Sequence, residues 1–390
     1  MIEQIALTGN ESVALAMKQI NPDVLAAYPI TPQTEIVQLF SQFIADGELD
    51  TEYITVESEH SAMSATVGAS AAGARALTAT SANGLAYMME IVYIASSLRL
   101  PIVMTVVNRA LSGPINIHCD HSDAMAARDS GWIQLFGENA QSAYDNMIQA
   151  VRIAEIEKLP VMVNMDGFII SHAVENIRPL SDELVKKFLG EYEAKYRLLD
   201  SKDPVTFGPL DLQDYYFEHK RQESHVMESV MGTVLKVAGE YKEISDRNYS
   251  FLEDFMINDA DIILIGLGST MGTARVAAEN IRKKGIKAGV INLRLFRPFP
   301  GEKLREILAD KKIIGVLDRA DTFSLNGGPL YSDILNVLYE QGEKKIVNYI
   351  YGLGGRDISI SELEDLYIQL DKLKDSAKIE NRIQYIGVRE

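Results

Sequence analysis

Tyr53-Ile-Thr-Val-Glu-Ser-Glu-His-Ser-Ala-Met-Ser-Ala-Thr-Val-Gly-Ala-Ser-Ala-Ala-Gly-Ala-Arg-Ala-Leu-Thr-Ala-Thr80 decides the fold class. It reads as a strand at 53–56, an acidic turn, a helix of small residues at 60–74 and a second strand at 76–80. Working outward, apolar runs at 24–28, 102–107 and 161–164 have the look of buried strands, and 32–46, 84–98 and 140–158 are long enough for helices. Strands alternating with helices of this length imply an α/β domain, a parallel sheet covered by helices. We assign it residues 1–177.

From residue 178 to 255 the composition turns to mixed charge and bulky polar residues, with Pro179, Pro204, Gly208 and Pro209 as breakers and a helical stretch at 223–243. We read this as a charged linker with a helix, crossing a surface. A second α/β rhythm occupies 256–390, with strands at 261–266, 288–293, 312–317 and 345–350 and helices at 272–284, 301–309 and 328–340. We find neither an internal repeat nor a low-complexity tract.

Apolar residues make up 47% and charged residues 24% of the 390, which excludes disorder, collagen and coiled coil as the main state. The 38 Lys and Arg against 55 Asp and Glu leave a net charge of −17, a field that repels nucleic acid and anionic lipid. Residues 76–98 form the one candidate membrane stretch, but polar Thr78, Asn83 and Glu90 interrupt it, and we read no span. The opening Met1-Ile2-Glu3-Gln4 has no basic or apolar leader character, so a cytoplasmic protein is expected. Cys119 is the sole cysteine, which excludes an internal disulfide and a cluster held by four thiolates of this chain.

Three motifs invite chemistry. Gly266, Gly268 and Gly272 follow a strand and open a helix, but the third glycine is one residue late for a dinucleotide fingerprint and no acid ends the next strand, so a tight turn is the better reading than a nicotinamide site. His118-Cys-Asp-His-Ser-Asp123 packs potential ligands too tightly for a closed metal site, and we read it as a polar loop near an active site, with no metal. Asp166-Gly167 lacks the preceding glycine of a diphosphate- and magnesium-binding Gly-Asp-Gly. Glu57 and Glu59, at the start of the small-residue helix, suit the helix dipole and need no further role on that ground alone.

Taken together, Tyr28-Pro-Ile-Thr-Pro32, Val56-Glu-Ser-Glu-His-Ser-Ala-Met63, Gly68-Ala-Ser-Ala-Ala-Gly73, Asn108-Arg-Ala110, Asp120-His-Ser-Asp123, Asp166-Gly-Phe168, Leu295-Phe-Arg-Pro-Phe-Pro300 and Gly352-Leu-Gly-Gly355 give the chain a resemblance to the alpha subunit of pyruvate:ferredoxin oxidoreductases, along its whole length. The resemblance implies a thiamin diphosphate pyrimidine-binding domain followed by a domain like the C-terminal one of transketolases. It implies an oxidoreductase active only with beta, gamma and delta partner subunits, which hold the diphosphate, its Mg²⁺ and the [4Fe–4S] clusters. The reaction implied is pyruvate, coenzyme A and oxidised ferredoxin to acetyl-CoA, CO₂ and reduced ferredoxin, through C2 of thiamin diphosphate. Rivals are the same chemistry on 2-oxoisovalerate, oxalate or 2-oxoglutarate, and a non-catalytic paralogue.

By the same resemblance Glu59 is the catalytic carboxyl, sharing a proton with N1′ of the cofactor. Pro29 and Ile30 line the cofactor, and Thr31 and Arg109 take the substrate. An Arg fork suits a carboxylate. Glu57 is expected to be structural. Cys119 departs from the pattern, standing where glycine is expected before Asp120.

Overall fold

The computed structural model describes residues 4–376 and 378–389. It begins β1 (Ile5–Thr8), α1 (Gly9–Ile20), β2 (Val24–Ala27), α2 (Thr34–Ala45), β3 (Glu52–Thr55), α3 (Glu59–Ala72), β4 (Ala76–Thr80), α4 (Ala82–Ser97) and β5 (Val103–Asn108). Then come α5 (Ser122–Ala126), β6 (Ile133–Phe136), α6 (Ala140–Glu157), β7 (Val161–Asp166), β8 (Val174–Ile177), α7 (Asp182–Leu189) and α8 (Tyr216–Ser245). The second half holds β9 (Leu252–Phe255), β10 (Ile262–Gly266), α9 (Thr270–Lys283), β11 (Ala288–Leu293), β12 (Leu295–Arg297) and α10 (Gly301–Ile307). It closes with β13 (Ile313–Asp318), α11 (Pro329–Val337), β14 (Lys345–Ile350), α12 (Ile360–Lys372) and β15 (Ile383–Tyr385).

Local chemistry sets the boundaries. Thr8 and Glu11 form a reciprocal capping box that starts α1. Ser58 caps α3 by accepting from the Ser61 amide, and Gly73, at φ +105°, ends it in a conformation that side chains resist. Strands β4, β5 and β7 are buried along their whole length. Covered on both faces by helices, they are predominantly apolar without the regular alternation of a half-exposed strand.

The first sheet has the order β12-β6-β7-β5-β4-β2-β3, and the second β15-β14-β13-β10-β11-β9. Pairing is parallel except where β12 joins β6 and β9 joins β11. The expected α/β class is therefore the observed one. β12 comes from the second half of the chain yet extends the first sheet, Leu295 pairing with Leu135. None of the described helices is long and apolar enough to cross a membrane, and the apolar stretch at 76–98 is β4, a turn and α4.

The stretch at 178–255 is bound into the protein more closely than a surface linker. Val230, Val234, Val237, Ala238 and Tyr241 recur at helical spacing along α8 and are buried. All but Ala238 belong to the same core as α1, α6 and α7. Beneath them the wholly buried Asp145 of α6 takes a two-pronged bond from Arg247, at 2.6 and 2.7 Å, and hydroxyl bonds from Tyr241 and Tyr249. Charged residues fill the outer face of α8, which is why its composition reads as linker.

Candidate active site

Strands β2 and β4 are parallel neighbours whose onward connections run in opposite directions across the sheet, from β2 to β3 on one side and from β4 to β5 on the other. Such a switch point opens a crevice at the carboxyl edge, where α/β proteins bind ligands. Residues 28–31 follow β2, Glu59 follows β3, Ser81 to Gly84 follow β4, and Arg109 follows β5. The sequence-predicted residues therefore share one edge of the sheet.

Glu59 is the first residue of α3 and is half-buried. Gly84, near the start of α4, faces it: a Cβ there would lie 3.0 Å from Glu59 Oε1 and 2.4 Å from Thr80 Oγ1. Beside it, the buried hydroxyls of Thr80 and Ser81 make no hydrogen bond among the described residues. The Glu59 carboxyl and the unsatisfied Thr80 hydroxyl thus close a cradle at Gly84 that has no room for a methyl. Glu57 is different. It is fully exposed, accepts the Ser61 hydroxyl, and that bond lowers its pKa.

Arg109 is 7% exposed, and burial lowers its pKa while Asp123 opposes the shift. Its Nε donates to the Asn116 carbonyl and its Nη1 to the Thr31 carbonyl, both at 2.9 Å, while Nη2 makes no bond among the described residues. Thr31 and Pro29 are exposed and Ile30 is half-buried. Buried Asp123 ties this group to α4, accepting from the Arg109 and Ala82 amides at 3.0 Å. Burial pushes the Asp123 carboxyl up to about 6 against those bonds and others from Asn108 and Ala124. Sequence reasoning did not single out Gly84, Asn116 or Thr80, and named Asp123 only within its loop.

Behind this edge, Cys119, His121 and Asp166 converge, their ligand-type atoms lying within 4.8 Å of one another. His121 Nε2 sits 2.7 Å from Asp166 Oδ1, and Arg319 Nη1 donates to Asp166 Oδ2 at 3.1 Å. Burial would raise Asp166, but His121, Arg319 and Ser269 hold its carboxyl well below the usual range. Arg319 supplies the positive charge here. The glycine-rich turn after β10 closes on the same carboxylate: Gly268 has φ +72°, its Cβ would lie 2.7 Å from Asp166 Oδ1, and the Ser269 amide donates to Oδ2 at 3.1 Å. A protein carboxylate, rather than a pyrophosphate, fills that turn. Cys119 is wholly buried, and burial raises its thiol pKa.

Residues 15–238 match the sequence family described as pyruvate flavodoxin/ferredoxin oxidoreductase, thiamine diphosphate-binding. The chain belongs to this family. Residues 260–363 match core domain II of pyruvate:ferredoxin oxidoreductase. Among relatives of this oxidoreductase family, pyruvate synthase subunit PorA of Thermotoga maritima is 56% identical over 393 residues, covering 100% of this chain and 99% of its own. Ketoisovalerate oxidoreductase subunit VorA of Pyrococcus abyssi is 42% identical, covering 98% and 97%. The fold is similar to 2-oxoglutarate:ferredoxin oxidoreductase from Magnetococcus marinus, with a TM-score of 0.71 at 20% identity; 94% of this chain is covered, and it spans 65% of that chain. A split gene transketolase shares the fold with a TM-score of 0.57 at 13% identity, covering 94% of this chain and 99% of its own.

The residues fit one half of thiamin diphosphate. The half-buried Glu59 carboxyl, backed by the Gly84 cradle, suits the polar edge of a flat pyrimidine. Asp166, the residue nearest in sequence to a diphosphate motif, has its carboxylate spent on His121, Arg319 and Ser269.

Proposed function

We propose that this chain is the alpha subunit of a multi-subunit 2-oxoacid:ferredoxin oxidoreductase that acts on pyruvate with coenzyme A and ferredoxin in the cytoplasm. Residues 1–177 carry the pyrimidine-side site, 178–255 join it to 256–390, and beta, gamma and delta partners hold the diphosphate, Mg²⁺ and [4Fe–4S] clusters. The observation that carries the reading is the pairing of one carboxyl, Glu59, with one uncommitted guanidinium edge, Arg109 Nη2, at the same strand ends.

When bound, thiamin diphosphate supplies a nucleophilic C2 and a sink for the electron pair released on decarboxylation. Glu59 would hold a proton against N1′ of the bound pyrimidine, the position from which a carboxyl tunes the acid–base chemistry of the ring. Its place at the start of α3 lends the site partial positive potential. Pro29 and Ile30 pack beside the ring, and the Thr31 hydroxyl donates to the substrate. Arg109 orients the substrate carboxylate through Nη2, held by the Thr31 and Asn116 carbonyls.

One cation suits a monocarboxylate. Arg109→Ala should cost about 1.5–3 kcal/mol, the worth of a charged hydrogen bond. That corresponds to roughly 10- to 150-fold in kcat/KM for pyruvate. The test compares pyruvate, 2-oxobutyrate, 2-oxoisovalerate and oxalate in the assembled enzyme; oxalate as the best wild-type substrate, or unaltered pyruvate kinetics in the variant, contradicts the assignment. A better kcat/KM for 2-oxoisovalerate would move the substrate to that of the VorA relative.

Gly84→Ala provides a steric probe of the same cradle. Alanine is the better helix former by about 1 kcal/mol, yet its Cβ would press on Glu59 and Thr80. Turnover should fall about ten- to a hundredfold, the scale of an ångström's misplacement in a reacting site. Full turnover in this variant would show that Glu59 needs no such space.

A further inference from the structure

We infer that Asn116, held from the second half of the chain by the turn at Gly352 to Gly355, is a positioning residue that fixes the guanidinium of Arg109 for the substrate carboxylate. The inference rests on the proposed reading of Arg109. Sequence comparison gave the turn no role, and Asn116 belongs to none of the quoted motifs.

Arg109 Nε is aimed by the backbone carbonyl of Asn116, so the guanidinium plane is as well defined as that carbonyl. Asn116 lies in the excursion between β5 and α5, whose residues 112–115, 117 and 118 are exposed, with Ile115 80% exposed. Packing therefore does little to fix it. Hydrogen bonds do: Asn116 Oδ1 accepts the His118 amide at 2.7 Å, and Asn116 Nδ2 donates to the Gly354 carbonyl at 3.0 Å. The excursion is closed at its base by the Ala110 amide on the His118 carbonyl at 3.0 Å. A third tie runs from the Gly354 amide to Asp120 Oδ2 at 3.1 Å.

The turn is shaped for this contact. Gly354 has φ +61° and Gly355 φ +82°, in the left-handed region that favours glycine. A Cβ on Gly354 would lie 2.5 Å from Asn116 Nδ2, and one on Gly355 2.3 Å from His118 Cβ. Arg319, already bonded to Asp166, reaches the Gly352 carbonyl through Nε at 3.4 Å. A rigid hub thus holds the turn, the turn holds Asn116, and Asn116 aims Arg109. With the tether cut, the Asn116 carbonyl is free to shift, and Arg109 can pivot about its bond to the Thr31 carbonyl.

The test uses the assembled enzyme with Asn116→Ala, Gly354→Ala and the double variant. Two competitive inhibitors probe the site: oxamate, a charged analogue of pyruvate, and methyl pyruvate, its neutral ester. Each single variant should raise KM for pyruvate and Ki for oxamate about tenfold, with kcat and Ki for methyl pyruvate changed by no more than about twofold. The double variant should resemble the singles, because both changes cut one contact. The melting temperature of Asn116→Ala should hold, since Asn116 lies in an exposed excursion; Gly354→Ala adds the local strain of a side chain at φ +61°, so Asn116→Ala is the decisive variant. If Arg109→Ala raises the oxamate Ki while both tether variants leave it unchanged, the clamp is wrong and the Arg109 reading stands. If Arg109→Ala itself leaves the oxamate Ki unchanged, the reading beneath fails. Equal losses for both inhibitors, or loss of assembly in both variants, would make the contact merely structural and overturn the inference.

Discussion

Glu59→Gln should lower turnover of the assembled enzyme by about 10²–10⁴-fold, the usual contribution of a positioned acid–base group. Glutamine keeps the size of the side chain and fits the space opposite Gly84, where the carboxyl already lies close to the helix backbone. What it lacks is a proton to share with N1′. Binding and assembly should therefore persist while proton removal at C2 fails. Glu57→Gln is the internal comparison: it is two residues away but fully exposed and engaged with Ser61, and should change turnover little. Steady-state kinetics on both variants, with assembly checked by gel filtration, reads the difference. Equal losses would mean that local helix disruption, not proton sharing, is being measured.

Asp145→Ala should destabilise the folded chain by about 3–5 kcal/mol, the cost of removing one partner of a buried ion pair. Burial penalises Arg247, but its bonds to Asp145 hold its pKa above the ordinary arginine value. Removing the carboxylate leaves that guanidinium without its fork and leaves the Tyr241 and Tyr249 hydroxyls without an acceptor. These residues fasten α8 and the strand entering the second sheet onto α6. Loosening should expose α8 to protease before the rest of the protein unfolds. Replacing Asp145 and Arg247 together by apolar residues of similar volume should recover much of the loss, because the desolvation cost disappears with the pair. Urea denaturation of the variants measures both effects; a loss below about 1 kcal/mol in Asp145→Ala would show that packing alone docks α8.

The buried strands were legible because helices cover both faces, leaving runs such as 76–80 and 103–108 free of charged residues and built mostly of small, apolar and β-branched ones. Each strand expected in the first domain formed within two residues of its expected ends. α1 announces itself only by the capping-box spacing of Thr8 and Glu11, and β6 offers only four residues in a loop-like stretch. The sequence of α8 has the character of a linker because charges on its outer face dilute its apolar stripe. β12 joins the first sheet by a pairing between residues 160 positions apart, which no local pattern encodes.

At the site, Glu59, Thr31 and Arg109 came from motif resemblance, and the fold brings them to one edge of the sheet. Their supports were not legible. Gly84 looks like any helix glycine until Glu59 is seen across from it, and Asn116 is an ordinary loop residue until Gly354 meets it from the far end of the chain. The loop at 118–123 was readable as a polar cluster, but its partner Arg319 was not. In each case the missing information is a long-range contact that only folding supplies.

The most direct test of the proposed role of Glu59 is exchange of the thiamin C2 proton with deuterium, followed by acid quench and NMR in the assembled enzyme without substrate. This step needs the carboxyl of Glu59 but neither Arg109 nor ferredoxin. Glu59→Gln should slow exchange by about 10² or more relative to wild type, while Arg109→Ala leaves it unchanged. Wild-type exchange in the Glu59 variant, with the cofactor still bound, would contradict the assignment of this chain's carboxyl to the reaction.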